Sequence, residues 1–142
     1  MIVGLLLVTV AFAALIQSIT FDYEIVESKA TMTGPISIGL GTIIKDSAND
    51  TSAYDSGEDL TVSVMTDIVI TMDSPIHFSS FSCNVQLRQG GILQYEATVT
   101  EVSLQQSMSN IPADVYDVWV GYSYTAGSSS ASGILGVDIS YP

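Results

Sequence analysis

At 142 residues the chain has room for one domain of ordinary size plus an appendage, and its length gives no reason to expect two cores. Its 15 acidic and 3 basic residues leave a formal net charge of -12 at pH 7, so the cations that phosphate binding demands are missing and nucleic acid is excluded as a partner. Cys83 is the only cysteine, which rules out an intrachain disulfide and leaves stability to packing or assembly.

The chain opens on its greasiest stretch. Residues 1–16 carry no charge, and within residues 1–20 only Thr9, Gln17, Ser18 and Thr20 are polar. The pattern predicts a helix over residues 1–31, running past the first acids in Phe21-Asp22-Tyr23-Glu24-Ile25-Val26-Glu27 and stopping before Gly34-Pro35. Such a helix would be roughly 45 Å long and apolar on every side through its first turns, which places it in a membrane or in a bundle of its own kind. Ile2, Val3, Leu5, Leu6, Leu7, Val10, Phe12, Leu15 and Ile16 supply its apolar contacts. Gly4, Ala11 and Ala14, with Ser18, fall on one helical stripe where small side chains let another helix come close. No Lys or Arg precedes Lys29, whereas an uncleaved leader opens on a basic stretch, so the segment reads as the start of a mature chain. A competing reading takes Ala11-Phe12-Ala13 as a leader-cleavage match and leaves an ordinary secreted β-domain.

From Pro35 the hydrophobic period changes to two, the mark of strands with one buried face. Residues 36–44 form a first strand, and Leu60, Val62, Val64, Ile68, Ile70 and Met72 share one parity interrupted by Thr66. Phe81, Cys83, Val85 and Leu87 alternate with Ser82, Asn84, Gln86 and Arg88 up to a turn at Gly90-Gly91, and Leu93, Tyr95, Ala97 and Val99 alternate on the way back. The apolar parity then slips by Val102 and Leu104, which predicts a bulge near Thr100-Glu101. Tyr116, Val118, Val120, Tyr122 and Tyr124 make another apolar face, and Leu135, Val137, Ile139 and Tyr141 a last one. About six strands result, joined by polar loops over residues 45–59 and 126–133. The expected class is α+β, with a hydrophobic helix over 1–31 followed by an all-β, Ig-like sandwich over 35–142.

Few residues offer chemistry. Asp46, Asp50, Asp55, Glu58 and Asp59 crowd the expected 45–59 loop, but without the alternating acids, central glycine and closing glutamate of a calcium loop they read as a solvated acidic stretch. His77 is the only histidine, and no Gly-x-Ser-x-Gly accompanies it. Cys83 sits on the inward parity of its strand, as a small apolar filler. There is no phosphate-binding loop, zinc pattern or dinucleotide fingerprint, so no catalytic activity, cofactor or metal is expected. Asn49-Asp50-Thr51 matches the N-glycosylation acceptor. Trp119, on the polar parity of its strand, either contacts a neighbour or packs against a second layer.

A bare apolar helix followed by a Ser/Thr-rich β-sandwich resembles the archaeal type IV pilin superfamily, which includes adhesive pilins and archaellins. Two features depart from its branches: Leu5 stands where bacterial pilins carry a glutamate, and Gly4 alone represents the glycine-rich start of many archaellins. The resemblance implies a leader removed by a prepilin peptidase, subunits held in the membrane before assembly, and a pilus assembly machinery that builds a helical filament of identical copies. On that reading the chain is the structural major subunit of an extracellular, cell-surface filament, an adhesive pilus rather than an archaellum. A membrane-anchored binding module is the reading from another class.

Overall fold

The computed structural model describes residues 28–127 and 131–142, and among them there are nine strands and no helix. In chain order these are β1 (Ala30–Met32), β2 (Ile36–Ile43), β3 (Ala48–Val62), β4 (Thr66–Met72), β5 (Phe78–Gln89), β6 (Ile92–Thr100), β7 (Gln105–Ile111), β8 (Asp114–Ala126) and β9 (Ala131–Ser140). The expected α+β class is therefore corrected: the described chain is all-β. The last residues assigned to the helix belong to β1, where Ala30 and Thr31 pair with Val62 and Thr61. Here alternation decides, with Ala30 buried, Thr31 exposed and Met32 half-buried. The rest of the helix expectation, residues 1–27, lies outside the described residues.

Two antiparallel sheets make the sandwich, one in the order β1-β3-β8-β5-β6 and the other β2-β9-β4-β7. Four of the pairings are nested: β5 with β6, β4 with β7, β3 with β8, and β2 with β9. This is a long hairpin wrapped around itself, the jelly-roll arrangement, and it corrects the Ig-like expectation. Period and turn signals are the same for both sandwiches. What separates them is which distant strands pair.

Leu60, Phe81, Cys83, Val85, Leu87, Val118 and Val120 from the five-stranded sheet face Ile38, Ile68, Ile70, Met108, Ile111 and Val137 from the four-stranded one. The expected parity across residues 60–72 survives a change of sheet. Leu60 and Val62 look into the core from β3, Ile68, Ile70 and Met72 from β4, and the 63–65 link between them leaves Val64 exposed. Thr66, the interruption in the pattern, is itself buried at the start of β4.

Three further expectations are corrected. Residues 48–59, expected in a loop, form most of β3, which lies along β8 with breaks in register at 51–54 and 55–58. Their polarity hid the strand because this stretch buries little, and its partner β8 carries the apolar face. The parity slip at Thr100-Glu101 is not a bulge but a tight reversal closed by Thr100 and Ser103, which carries the chain from one sheet to the other. A bulge does occur at Gln94, where the register passes from Leu87 opposite Tyr95 to Arg88 opposite Leu93, so Leu93 turns outward. Gly90 and Gly91, with φ of 56° and 80°, form the two-residue turn that the expected hairpin needs.

Gly121 is a close-approach position. A Cβ there would lie 3.0 Å from the Ala53 nitrogen and 3.2 Å from the Thr51 oxygen, so the backbone of β3 would have to move. Gly121→Ala is expected to lower stability by about 1 kcal/mol, the clash outweighing the entropy gained by losing a glycine, as chemical denaturation would measure.

Candidate functional site

The sandwich has two distinct ends. Its proximal end, where Ser28 and Lys29 lead into β1, gathers the links 63–65, 90–91 and 112–113 and the C-terminal residues. The Ser63 amide donates to the Lys29 carbonyl at 2.8 Å, and the Tyr116 hydroxyl donates to the Pro112 carbonyl at 3.1 Å, which pins two of these links to the rim. The distal end holds the links 44–47, 73–77 and 101–104.

The residues singled out for chemistry do not converge. His77 is exposed at the distal end, where its carbonyl accepts from the Gly127 amide at 2.9 Å. Cys83 is fully buried in β5, and burial pushes its thiol up to about 12. Asp46, Asp50, Asp55, Glu58 and Asp59 are strung along β3 and the turn before it, held by local bonds such as Thr33 Oγ1 donating to Glu58 Oε2 at 2.7 Å. No cluster of three or more potential metal ligands occurs among the described residues. Asn49 is exposed near the start of β3, and its Nδ2 donates to Thr51 Oγ1 at 3.1 Å.

Trp119 does not pack against a second layer. It lies on the outer face of the five-stranded sheet, opposite Asp55 on one side and Gln86 on the other, half-buried. The Arg88 guanidinium covers its ring at 4.3 Å from the centroid and is held there by Nε and Nη2, both donating to Gln86 Oε1 at 2.9 and 2.6 Å. Such a stack contributes about 0.5–1 kcal/mol at a surface site. Trp119 Nε1 is buried and has no hydrogen-bond partner among the described residues.

What sequence reasoning missed is an apolar rim. Val64, Met65, Ile92, Leu93 and Val115 are all exposed, Met65 at 59% and Ile92 at 67%, and all belong to the proximal end or the strand residues next to it. They come from three separate links, so no local pattern announces them. The site residues expected for assembly, Ile2, Val3, Gly4, Leu5, Leu6, Leu7, Val10, Ala11, Phe12, Ala14, Leu15 and Ile16, lie outside the described residues. The outer face around Trp119 carries Asp55, Asp59, Glu96 and Asp117, and the distal end also exposes apolar side chains, Ile44, Ile76 and Val102.

No protein-family model matches the chain, and no curated protein matches it either. The class of protein is defined by the fold and the sequence alone: a jelly-roll domain, preceded in the sequence by 21 uncharged residues and then by Asp22, Glu24 and Glu27.

Proposed function

We propose that the chain is a structural, non-catalytic subunit of an extracellular surface filament, polymerising through its apolar N-terminal segment after being held in a membrane. The observation that carries this reading is the uncharged stretch of 21 residues with which the sequence opens. It is followed by Asp22, Glu24 and Glu27 and then by Ser28, which lies at the end of the sandwich where Val64, Met65, Ile92, Leu93 and Val115 are exposed. An apolar segment of that length has two low-energy homes, lipid and a dry contact with copies of itself, and exchange between them costs little. Contacts that repeat head to tail without closing give a fibre. The polar, acidic outer face of the five-stranded sheet would then meet water. The pilin resemblance supports the same reading through residues 1–27, and an adhesive role is the finer part of it.

Electron microscopy of the full-length protein released from membranes tests the proposal, with uniform fibres expected. Leu6→Asp or Phe12→Asp should abolish them, because no water or partner compensates a charge in a dry contact. Normal fibres from either variant, or a dispersed single subunit from the unaltered protein under every condition tried, would contradict it.

A further inference from the structure

The four-stranded sheet has an open slot. β9 pairs with β4 as far as Ser140, but on its other side β2 begins only at Ile36, opposite Val137. Among the described residues, the backbone of 138–141 on that side therefore has no neighbouring strand. Beneath the open edge, between β9 and β1 of the other sheet, run two adjoining cavities of about 190 and 230 Å³ that share Met32 and Ile139. Ala30, Leu60 and Tyr141 complete the wall of the first, Pro35, Ile36 and Val137 that of the second. Unpaired strand backbone above an apolar groove is the feature to which an extended segment adds as a new strand, the backbone giving affinity and alternate side chains filling the groove.

The chain carries a segment of matching chemistry. Across residues 19–25, Ile19, Phe21, Tyr23 and Ile25 alternate without fault against Thr20, Asp22 and Glu24, the pattern of a half-buried strand. We propose that this segment of a second copy adds to the open edge of β9, antiparallel to it like every other pair in both sheets. The proposal rests on the filament reading and supplies its joint. Reach favours a second copy over the chain's own segment. Antiparallel insertion by the same chain would end at the distal side of the slot and have to return to Ser28 across about 10 Å. Val26 and Glu27 span roughly that distance fully extended and leave nothing for the reversal. Each copy would offer one segment and one slot, a head-to-tail contact that propagates.

Register follows from charge. In an antiparallel ladder, Thr20 or Asp22 opposite Ser140 would set Asp22 or Glu24 opposite Asp138, and like charges across a pair repel. Ser18 opposite Ser140 would lodge only residues 17–20 in the slot and leave Phe21, Tyr23 and Ile25 outside it, so Glu24 is left as the partner of Ser140.

The test is oxidative cross-linking of the full-length protein carrying Ser140→Cys together with one of Ser18→Cys, Thr20→Cys, Asp22→Cys or Glu24→Cys. Cys83, fully buried, stays out of the reaction. A ladder of covalent multimers from the Glu24→Cys pair, reversed by reductant, is expected. A faster-migrating monomer would show that the chain's own segment occupies the slot, and no product from any pair would show that it is not a strand site; either overturns the proposal. A synthetic peptide of residues 17–26 added to the unaltered protein should stop fibre growth, whereas the same peptide with Phe21→Asp and Tyr23→Asp should not. Fibres that grow undisturbed and never cross-link would remove the joint and leave the filament reading standing. Cross-linked dimers without any fibre would do the reverse.

Discussion

Replacing Phe81 by alanine is expected to cost about 3–5 kcal/mol and to lower the melting temperature by roughly 10–20 °C. Phe81 is 1% exposed and holds the distal half of the core together. Its ring meets Phe78 edge-on at 5.0 Å and lies parallel to Tyr122 and Tyr124 at 6.4 and 6.3 Å. Its backbone also anchors the reversal between the sheets: the Phe81 amide donates to Glu101 Oε2 at 2.9 Å, and its carbonyl accepts from the Glu101 amide at 3.1 Å. The substitution keeps those backbone bonds and empties the centre of the aromatic cluster, so the loss reflects the cavity and the missing ring contacts. Thermal unfolding followed by near-ultraviolet circular dichroism would read both, because the tyrosines around the ring would lose their fixed environment. A shift under about 1 kcal/mol would mean that Phe78, Tyr122 and Tyr124 close over the gap, which the close packing of protein interiors disfavours.

The residues legible in the sequence are those whose neighbours along the chain carry the signal. Cys83, Val85 and Leu87 alternate with polar partners, and Gly90-Gly91 supplies the turn, so this hairpin could be read to the residue. Residues 48–59 could not be read because β3 there borrows its place from β8: its own side chains are polar, and its position is fixed by hydrogen bonds to a strand some 60 residues later. The Gln94 bulge is a similar case, one residue that reverses the facing of Leu93 with no change in composition to mark it. Ala30-Thr31-Met32 was overrun by the apolar pattern before it, since three residues are too few for either period to declare itself. Topology was the hardest part. Nesting β5–β6 inside β4–β7 inside β3–β8 inside β2–β9 involves partners ever farther apart in the chain, and one hydrophobic alternation serves a jelly roll and an Ig-like sandwich equally well.

The surface obeys the same division. An exposed apolar side chain is unremarkable alone, and Val64, Ile92 and Val115 gain meaning only when three links meet at one end of the sandwich. The slot beside residues 138–141 exists because β2 starts opposite Val137, four pairs too late to cover it, a fact of register between strands about 100 residues apart. By contrast, the apolar segment that would use both features is the plainest signal in the sequence. Rim and slot thus depend on folding for their existence, and the segment on composition alone.

Alkaline pH should single out Cys83. In the fold its thiol is pushed from 9.0 up to about 12 by burial, with no neighbouring charge responsible. The sign follows from which state holds the proton. Below pH 9 the thiol is protonated in both states and contributes nothing that varies with pH. Between about 9 and 12 the unfolded chain releases the proton and the folded chain keeps it, so stability is lost as pH rises, by ~1.4 kcal/mol per pH unit and ~4 kcal/mol over the window. Burial likewise raises Tyr54 and Tyr116, with help from Tyr122 and Cys83 at the first and from Tyr95 and Asp114 at the second, so their effects have the same sign at higher pH. A comparison with Cys83→Ala separates them. At pH 7 the variant should be less stable by about 1 kcal/mol for the lost sulfur contacts, and the two proteins' stability curves should cross as pH rises through 10, after which the variant is the more stable. Urea denaturation at intervals from pH 7 to 11.5 would show the crossing. Parallel curves would mean that the thiolate is accommodated in the fold, and the native protein should then react with iodoacetamide at pH 10 instead of resisting it until unfolded.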